Sequence, residues 1–249
     1  MSTSRRNSLA EASALVVGVG GLGCPAALSL VQAGVARVVL ADDDLVDETN
    51  LHRQILFDEQ DVGQDKLDAA ERALSRYVAP GQSIELVRSR LLPENARELV
   101  RSVDVVVEGA DNFATKFLAA DACRLERRPV IHGSGVRWVA TVWSVAPGGR
   151  PCYRCLFEDL PGGEAAPNCA EAGVMGPVVG IAGALMADLA LSALSGDAER
   201  SGRIYTFDGR TDQLRAVEVA PRMECPLCGP EPRIRDIDES RYLAPGCAA

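Results

Sequence analysis

A glycine-rich turn between a buried strand and a helix constrains the fold of this chain more than any other feature. Residues 14–19 (ALVVGV) predict a buried strand, and residues 18–23 (GVGGLG) lead directly into a segment rich in Ala and Leu. In the pattern Gly-x-Gly-x-x-Gly, the glycines permit a tight turn that brings the backbone close to a phosphate, and the helix N-terminus attracts the phosphate. With Asp42 at the end of the following strand, the pattern predicts an adenine-nucleotide site, most often occupied by NAD.

The rest of the chain alternates apolar segments of strand length with helical segments. Strands are predicted at residues 37–41, 84–87 and 103–107, and helices at 64–77, 93–101 and 177–194. This alternation predicts an α/β fold with a doubly wound, Rossmann-like and mostly parallel sheet. A period-two segment at 138–145 and two late strands, 203–207 and 214–219, predict an antiparallel extension of that sheet.

The length of 249 residues is enough for one large domain or two small ones. Because the sequence has no internal repeat and no low-complexity linker, we predict a single domain over residues 1–249. Its nucleotide-binding half would be about residues 1–131. A second half would follow at about 132–230, and a C-terminal tail at 231–249.

Four of the eight cysteines form two Cys-x-x-Cys pairs, Cys152 with Cys155 and Cys225 with Cys228. Two thiolate pairs supply the four soft ligands of a tetrahedral structural zinc site. A single Cys-x-x-Cys pair could instead form a redox-active disulfide, but the presence of a second such pair favours zinc. The sequence therefore predicts a four-cysteine zinc clip that joins distant parts of one domain.

Charge and hydropathy exclude several partners. The chain has 35 acidic and 26 basic residues and a net charge of −9, which argues against nucleic acid and against an anionic membrane surface. The apolar stretch 172–194 contains Asp188, so we predict a core helix there and no membrane span. Residues 1–11 are polar and have no signal-peptide core, so a cytoplasmic location is expected.

Charged and amide side chains distinguish the two nucleotides that this turn could bind. Asn50 and Arg53 are one helical turn apart, Lys66 begins the next predicted helix, and Asp111 with Asn112 follows another strand. A triphosphate needs cations for its charge and a carboxylate for magnesium, whereas hydride transfer to or from NAD does not. If the fold brings these residues together beside the glycine-rich turn, they favour ATP over NAD as the bound nucleotide.

The ordered set of motifs resembles the ThiF/MoeB/HesA family of adenylyltransferases, which are relatives of ubiquitin-activating enzymes. From residue 18 to residue 228 the motifs are GxGGLG, DxDxVxxxNLxRQ, VGxxK, DN, PCYRC, NCxxAGVxGPVVG and CPxC. The resemblance implies a single ThiF-type adenylation domain. Such an enzyme uses ATP and Mg²⁺ to adenylate the C-terminal Gly-Gly carboxylate of a small ubiquitin-like sulfur carrier, and it releases pyrophosphate.

The resemblance also implies roles for individual residues. Arg53 and Lys66 would stabilise the α-phosphorus during the reaction, Asp111 would hold Mg²⁺, and Cys169 is the position that some relatives use for covalent chemistry. The implied nucleotide contacts are Gly18, Gly20, Gly21, Gly23, Asp42, Asp44, Asn50, Arg53, Lys66, Asp111 and Asn112. Residues 132–230 would bind the carrier and the structural zinc, in a homodimer supplied with sulfur by a separate donor.

Two departures from the family pattern keep alternatives open. Relatives usually carry an arginine-bearing N-terminal arm, which is not recognisable in the 17 residues before Gly18, and Lys116 stands where an arginine usually follows the Asp-Asn pair. A non-catalytic binding scaffold is therefore one alternative to the enzyme. An NAD-linked oxidoreductase is the other alternative. For the enzyme, the pathway served would be cofactor biosynthesis or secondary-metabolite biosynthesis.

Overall fold

The computed structural model describes residues 9–160, 173–197 and 199–243. Eight strands form one sheet: β1 Ser13–Val17, β2 Arg37–Ala41, β3 Ser83–Val87, β4 Val105–Glu108, β5 Val130–Val136, β6 Val139–Val145, β7 Arg203–Asp208 and β8 Gln213–Glu218. The α-helices are α1 Gly23–Ala33, α2 Lys66–Ser75, α3 Ala96–Arg101, α4 Phe113–Leu125, α5 Tyr153–Leu156 and α6 Gly176–Leu194.

The sheet has the strand order β3-β2-β1-β4-β5-β6-β7-β8. The first five strands are parallel, and β6, β7 and β8 continue the sheet in antiparallel pairs. The predicted α/β class and the antiparallel extension are confirmed. Chain order reverses between β1 and β4, and ligands bind at such switch points, beyond the carboxyl ends of the strands.

Helices cover the parallel part of the sheet on both faces. Helices α1, α2 and α6 pack on one face, where Ala14 and Val16 of β1 point, and α3 and α4 pack on the other, where Leu15 and Val17 point. Strands β1 and β4 are buried throughout, which explains their continuous apolar sequences.

Helix α6 is long and apolar enough to cross a membrane by length and composition alone. In this fold its buried residues, among them Val179 and Met186, belong to the core against the sheet, and Asp188 on its exposed side pairs with Arg200 at 2.6 Å. The predicted core helix is therefore present.

Helix α4 was not predicted from the sequence. It contains Lys116 and Asp121, whose burial contradicts the simple rule that charged positions face water. The structure pairs each of them with an opposite charge from another element, Glu108 of β4 and Arg154 of α5 respectively.

Candidate functional site

The glycine-rich turn has the geometry that its sequence predicts. Gly18 has a φ of 82°, a left-handed conformation that favours glycine. Gly23 begins α1, and a Cβ atom added there would lie 1.9 Å from the carbonyl oxygen of Gly18. Both glycines are therefore required for the passage from β1 into α1, whose N-terminus faces the switch point of the sheet.

An acidic cluster at the end of β2 lies beside this turn. The carboxylate of Asp42 accepts hydrogen bonds from the backbone N–H groups of Val19 at 2.7 Å and Asp44 at 2.9 Å, and burial raises its pKa. Lys66 Nζ, which is also buried, lies 2.8 Å from Asp44 Oδ2 and 3.9 Å from Asp42 Oδ1. Burial opposes ionisation of Asp44, but the hydrogen bond and charge of Lys66 lower its pKa.

A short 3₁₀ helix, Glu48–Asn50, presents the next group of polar side chains. Its N-cap is Asp47, whose carboxylate accepts a hydrogen bond from the backbone N–H of Thr49. The guanidinium of Arg53 donates to Asn50 Oδ1 and, at 3.4 Å, to the carbonyl oxygen of Thr49. The predicted proximity of Asn50 and Arg53 is confirmed, and the pair is oriented before any ligand binds.

Asp111 is held at the carboxyl end of β4 by hydrogen bonds on both sides. The buried carboxylate of Glu108 accepts from the backbone N–H of Ala110 at 2.8 Å. On the other side, Asn112 caps α4 by accepting from the backbone N–H of Thr115, also at 2.8 Å. Asp111 itself has no salt bridge within the part of the chain that the structure describes.

Lys116 lies below this turn and does not line the nucleotide pocket. Its Nζ donates to the two carboxylate oxygens of Glu108, at 3.0 and 3.2 Å, and to the carbonyl oxygen of Gly133 at 2.5 Å. His132 Nδ1 lies 3.0 Å from the same carboxylate. Burial alone would raise the pKa of Glu108. Interactions with Lys116 and His132 oppose this effect, and the net result is a lowered pKa.

These elements enclose one pocket of about 490 Å³, which we call the nucleotide pocket. Nine of the residues predicted to contact a nucleotide line it: Gly18, Gly20, Gly21, Asp42, Asp44, Asn50, Arg53, Lys66 and Asp111. Gly23 and Asn112 are predicted site residues that do not line it, because Gly23 packs against Gly18 and Asn112 caps α4. Cys169 lies outside the described residues.

Sequence reasoning missed several residues that line the nucleotide pocket. Gln54 directly follows Arg53 in the motif, so the motif itself could have pointed to it. Its side chain is buried, and Gln54 Oε1 has no hydrogen-bond partner among the described residues. Ser134, Gly135 and Val179 come from β5 and α6, and no local pattern indicates that they reach the pocket.

The two Cys-x-x-Cys pairs form one cluster at the far end of the antiparallel extension. The Sγ atoms of Cys152 and Cys225 are 3.5 Å apart, those of Cys155 and Cys228 are 3.3 Å apart, and the four sulfurs lie within 4.8 Å of one another. A tetrahedral zinc with Zn–S bonds of about 2.3 Å separates its sulfurs by roughly 3.8 Å. The four cysteines therefore form a cluster that could hold zinc, as predicted.

A model of the ThiF family matches residues 1–227, which is most of this chain. The chain belongs to the ThiF family. The match includes the glycine-rich turn, the nucleotide pocket and three of the four clustered cysteines, and it ends one residue before Cys228.

Curated relatives in the ThiF family are named as adenylyltransferases or activating enzymes. The sulfur carrier protein adenylyltransferase of Thermus thermophilus is 40% identical over 235 residues, 92% of this chain and 86% of that protein. The SAMP-activating enzyme E1 of Haloferax volcanii is 37% identical, over 94% of this chain and 86% of the enzyme. The adenylyltransferase and sulfurtransferase MOCS3 of Anopheles gambiae is 40% identical over 91% of this chain. This chain spans only about half of the length of MOCS3 (52%).

Solved structures confirm the ThiF fold. MccB of E. coli, in a complex with MccA-N7isoASN, superimposes with a TM-score of 0.80 over 91% of this chain and 69% of MccB. At 23% sequence identity this likeness shows the fold alone.

Proposed function

We propose that this protein is an ATP-dependent adenylyltransferase that activates the C-terminal Gly-Gly carboxylate of a ubiquitin-like sulfur carrier. The observation that carries the proposal is the nucleotide pocket, where Arg53, Lys66 and Asp111 meet the glycine-rich turn. Relatives at 37–40% identity, named for activating SAMP and sulfur carrier proteins, support the same chemistry.

In the proposed reaction, a carboxylate oxygen of the carrier attacks the α-phosphorus of ATP, and the bond from that phosphorus to the leaving pyrophosphate breaks. The products are acyl-AMP and pyrophosphate. The attacking carboxylate is already ionised at neutral pH, so the site needs no general base. Its task is to place two anions together and to neutralise charge, which explains why cations and fixed dipoles line the pocket.

Six of the pocket residues have assigned roles in this proposed reaction. Backbone amides of Gly20 and Gly21, at the start of α1, would face the phosphates, and Asp42 would bind the ribose. Arg53 supplies a planar guanidinium and Lys66 a compact ammonium for charge on the α-phosphate. Asp111 is a hard oxygen ligand that would hold Mg²⁺, and the ion would neutralise phosphate charge when bound.

We further propose the arrangement around this site. The four cysteines would hold a structural zinc, and residues 132–230 would bind the carrier while residues 1–131 supply most of the nucleotide site. The protein would act as a homodimer supplied by a separate sulfur donor. It would be cytoplasmic, and the reducing conditions of that compartment suit a cluster of four free cysteines. Whether Cys169 forms a covalent intermediate is tested by Cys169→Ala, which would leave adenylation intact and abolish sulfur transfer.

Equilibrium binding of Mg-ATP and of NAD, with Asp111→Ala beside the wild type, tests the proposal. We expect Mg²⁺-dependent ATP binding that the substitution weakens at least tenfold, because it removes the carboxylate ligand. Glu94→Ala, at an exposed acid that precedes α3, is the control and should bind ATP like the wild type. NAD binding without ATP binding would instead indicate an oxidoreductase, and ATP binding without carrier-dependent pyrophosphate exchange would indicate a scaffold.

A further inference from the structure

A second cavity, of about 250 Å³, adjoins the nucleotide pocket. We call it the aromatic cavity, because its walls are large apolar side chains: Phe113, Trp143, Tyr153, Leu156, Phe157 and Ile204. Asp111 and Ser134 line both cavities, so the two are continuous beside the proposed magnesium ligand. Any substrate whose reacting end lies at Asp111 therefore has the aromatic cavity next to it.

The cavity lies on the face of the antiparallel extension that α6 leaves uncovered. In register, His132 of β5 pairs with Trp143 of β6 and Ile204 of β7, and these side chains line the cavity as one row. Gly133 and Gly135 alternate with the cavity-lining residues of β5 and therefore face the opposite side of the sheet. A Cβ atom added at these positions would meet Met186 and Val179 of α6. The apolar row is thus formed by the alternation of the strands, and within residues 9–160, 173–197 and 199–243 it borders a cavity.

Apart from Asp111, the proposed magnesium ligand at the junction with the nucleotide pocket, the described lining of the aromatic cavity offers a ligand no unpaired charge. Lys116 directs its three donors to Glu108 and to the carbonyl oxygen of Gly133, as described above. Burial lowers the pKa of His132, so its ring is neutral at pH 7. A charged group that entered would lose its hydration and meet only neutral polar atoms, such as the unpartnered His132 Nε2 and Trp143 Nε1, away from Asp111. The cavity is therefore selective for an apolar group.

We propose that the aromatic cavity binds the side chain of the residue immediately before the carrier's C-terminal Gly-Gly, and that this side chain is apolar. The inference rests on the proposed function. Two extended glycines span only about 7 Å, at 3.3–3.6 Å per residue. A carrier whose carboxylate lies at Asp111 thus keeps the preceding side chain near that residue, where the aromatic cavity opens. The cavity would then determine which carriers are activated.

Pyrophosphate exchange with one ubiquitin-fold sulfur carrier, made with Phe, Leu, Ala, Asp or Lys before the Gly-Gly, tests this specificity. We expect kcat/KM for Phe and Leu to exceed that for Asp and Lys by roughly 10- to 100-fold, the usual range for an apolar specificity pocket. Equal rates for all five carriers would overturn the inference but leave adenylation intact. No exchange with any carrier, in protein that binds Mg-ATP, would overturn the proposed function and this inference with it.

A matched pair of substitutions locates the specificity in the cavity. Thr141 lines the cavity on β6, and Thr206 is its register partner on β7, on the same face but outside the cavity. Thr141→Phe should raise KM for the Leu carrier about tenfold and leave the Ala carrier unchanged, whereas Thr206→Phe should leave both unchanged. An equal effect of the two substitutions would contradict the proposal.

Tryptophan fluorescence reports occupancy without turnover. The chain has two tryptophans, so Trp138→Phe leaves Trp143, in the cavity wall, as the only one. Binding of the Leu carrier should shift its emission, and binding of the Ala carrier should shift it much less. Identical spectra with both bound carriers would show that the side chain lies elsewhere.

Discussion

At the scale of single residues, position 23 accepts only a hydrogen atom as a side chain, because the carbonyl oxygen of Gly18 occupies the space of a Cβ. We expect Gly23→Ala to lower the free energy of unfolding by about 3 kcal/mol, a typical upper value for forced overpacking, and to weaken Mg-ATP binding. Urea unfolding and ATP titration measure the two effects.

The matched control is Gly180→Ala. Gly180 lies inside α6, and beyond the local backbone of that helix no heavy atom of the described residues lies within 4 Å of the Cβ that alanine would add. Because alanine is the better helix former, this variant should be as stable as the wild type or more stable by about 0.5–1 kcal/mol. A stability loss for Gly23→Ala no larger than that for Gly180→Ala would contradict the steric role of the contact with Gly18.

At the scale of elements, one carboxylate fastens α3 to the end of α4. Glu126 accepts hydrogen bonds from Arg101 at 2.9 Å and from Arg97 at 2.6 Å. The hydrogen bonds from Arg101 and then Arg97 outweigh its desolvation and lower its pKa to about 2, from an ordinary value of 4.5. The pKa of Glu126 is lower in the folded than in the unfolded state. Its interaction with the two arginines therefore stabilises the fold above about pH 4.5, and this stabilisation is lost as the pH falls toward 2.

Glu126→Gln should therefore destabilise the protein at pH 7 by about 1 kcal/mol, a value discounted for partial exposure of the arginines, and by much less at pH 3. Urea unfolding at the two pH values measures the difference. Glu98→Gln, on the exposed side of α3, is the control and should change stability little at either pH. A loss for Glu126→Gln that is the same at pH 7 and pH 3 would contradict the ionic origin.

At the scale of the whole molecule, the cysteine cluster brings together cysteines that lie 73 residues apart in the chain. Next to it, Arg154 of α5 binds Asp121 of α4 at 2.8 Å, and Tyr242 Oη donates to the same carboxylate at 2.9 Å. The cluster, α4 and the segment that contains Tyr242 therefore stabilise one another. A metal at the cluster would contribute to the stability of the whole domain.

We expect one zinc per chain in purified protein, and its loss in the double variant Cys225→Ser/Cys228→Ser. Because metal-binding energy is folding energy, the variant should lose about 3 kcal/mol or more, which lowers the Tm by roughly 6–12 °C. Elemental analysis and thermal unfolding measure these effects. Cys24→Ala, at a buried thiol far from the cluster in sequence, should keep its zinc. Full zinc content in the double variant would refute the site.

The strands other than β5, most helices and nine of the pocket residues could be predicted because each depends on local sequence. Strands β1 and β4 are buried on both faces, so their apolar runs are continuous, and the glycine-rich turn follows β1 directly. Helix α4 could not be predicted, because Lys116 and Asp121 are buried and are neutralised by Glu108 and Arg154 from other elements. Pairing between distant charges leaves no periodic pattern in the sequence.

The sequence alone determined the fold class, the family and the chemical types in the site, since glycine spacing, strand burial and cysteine pairs are written in short segments. The tertiary structure decided which side chains share a cavity. It removed Asn112 from the nucleotide pocket to cap α4, placed Lys116 as the partner of Glu108, and brought Ser134 and Trp143 into one cavity with Asp111. These placements depend on strand order and register, which arise only when the whole sheet has formed.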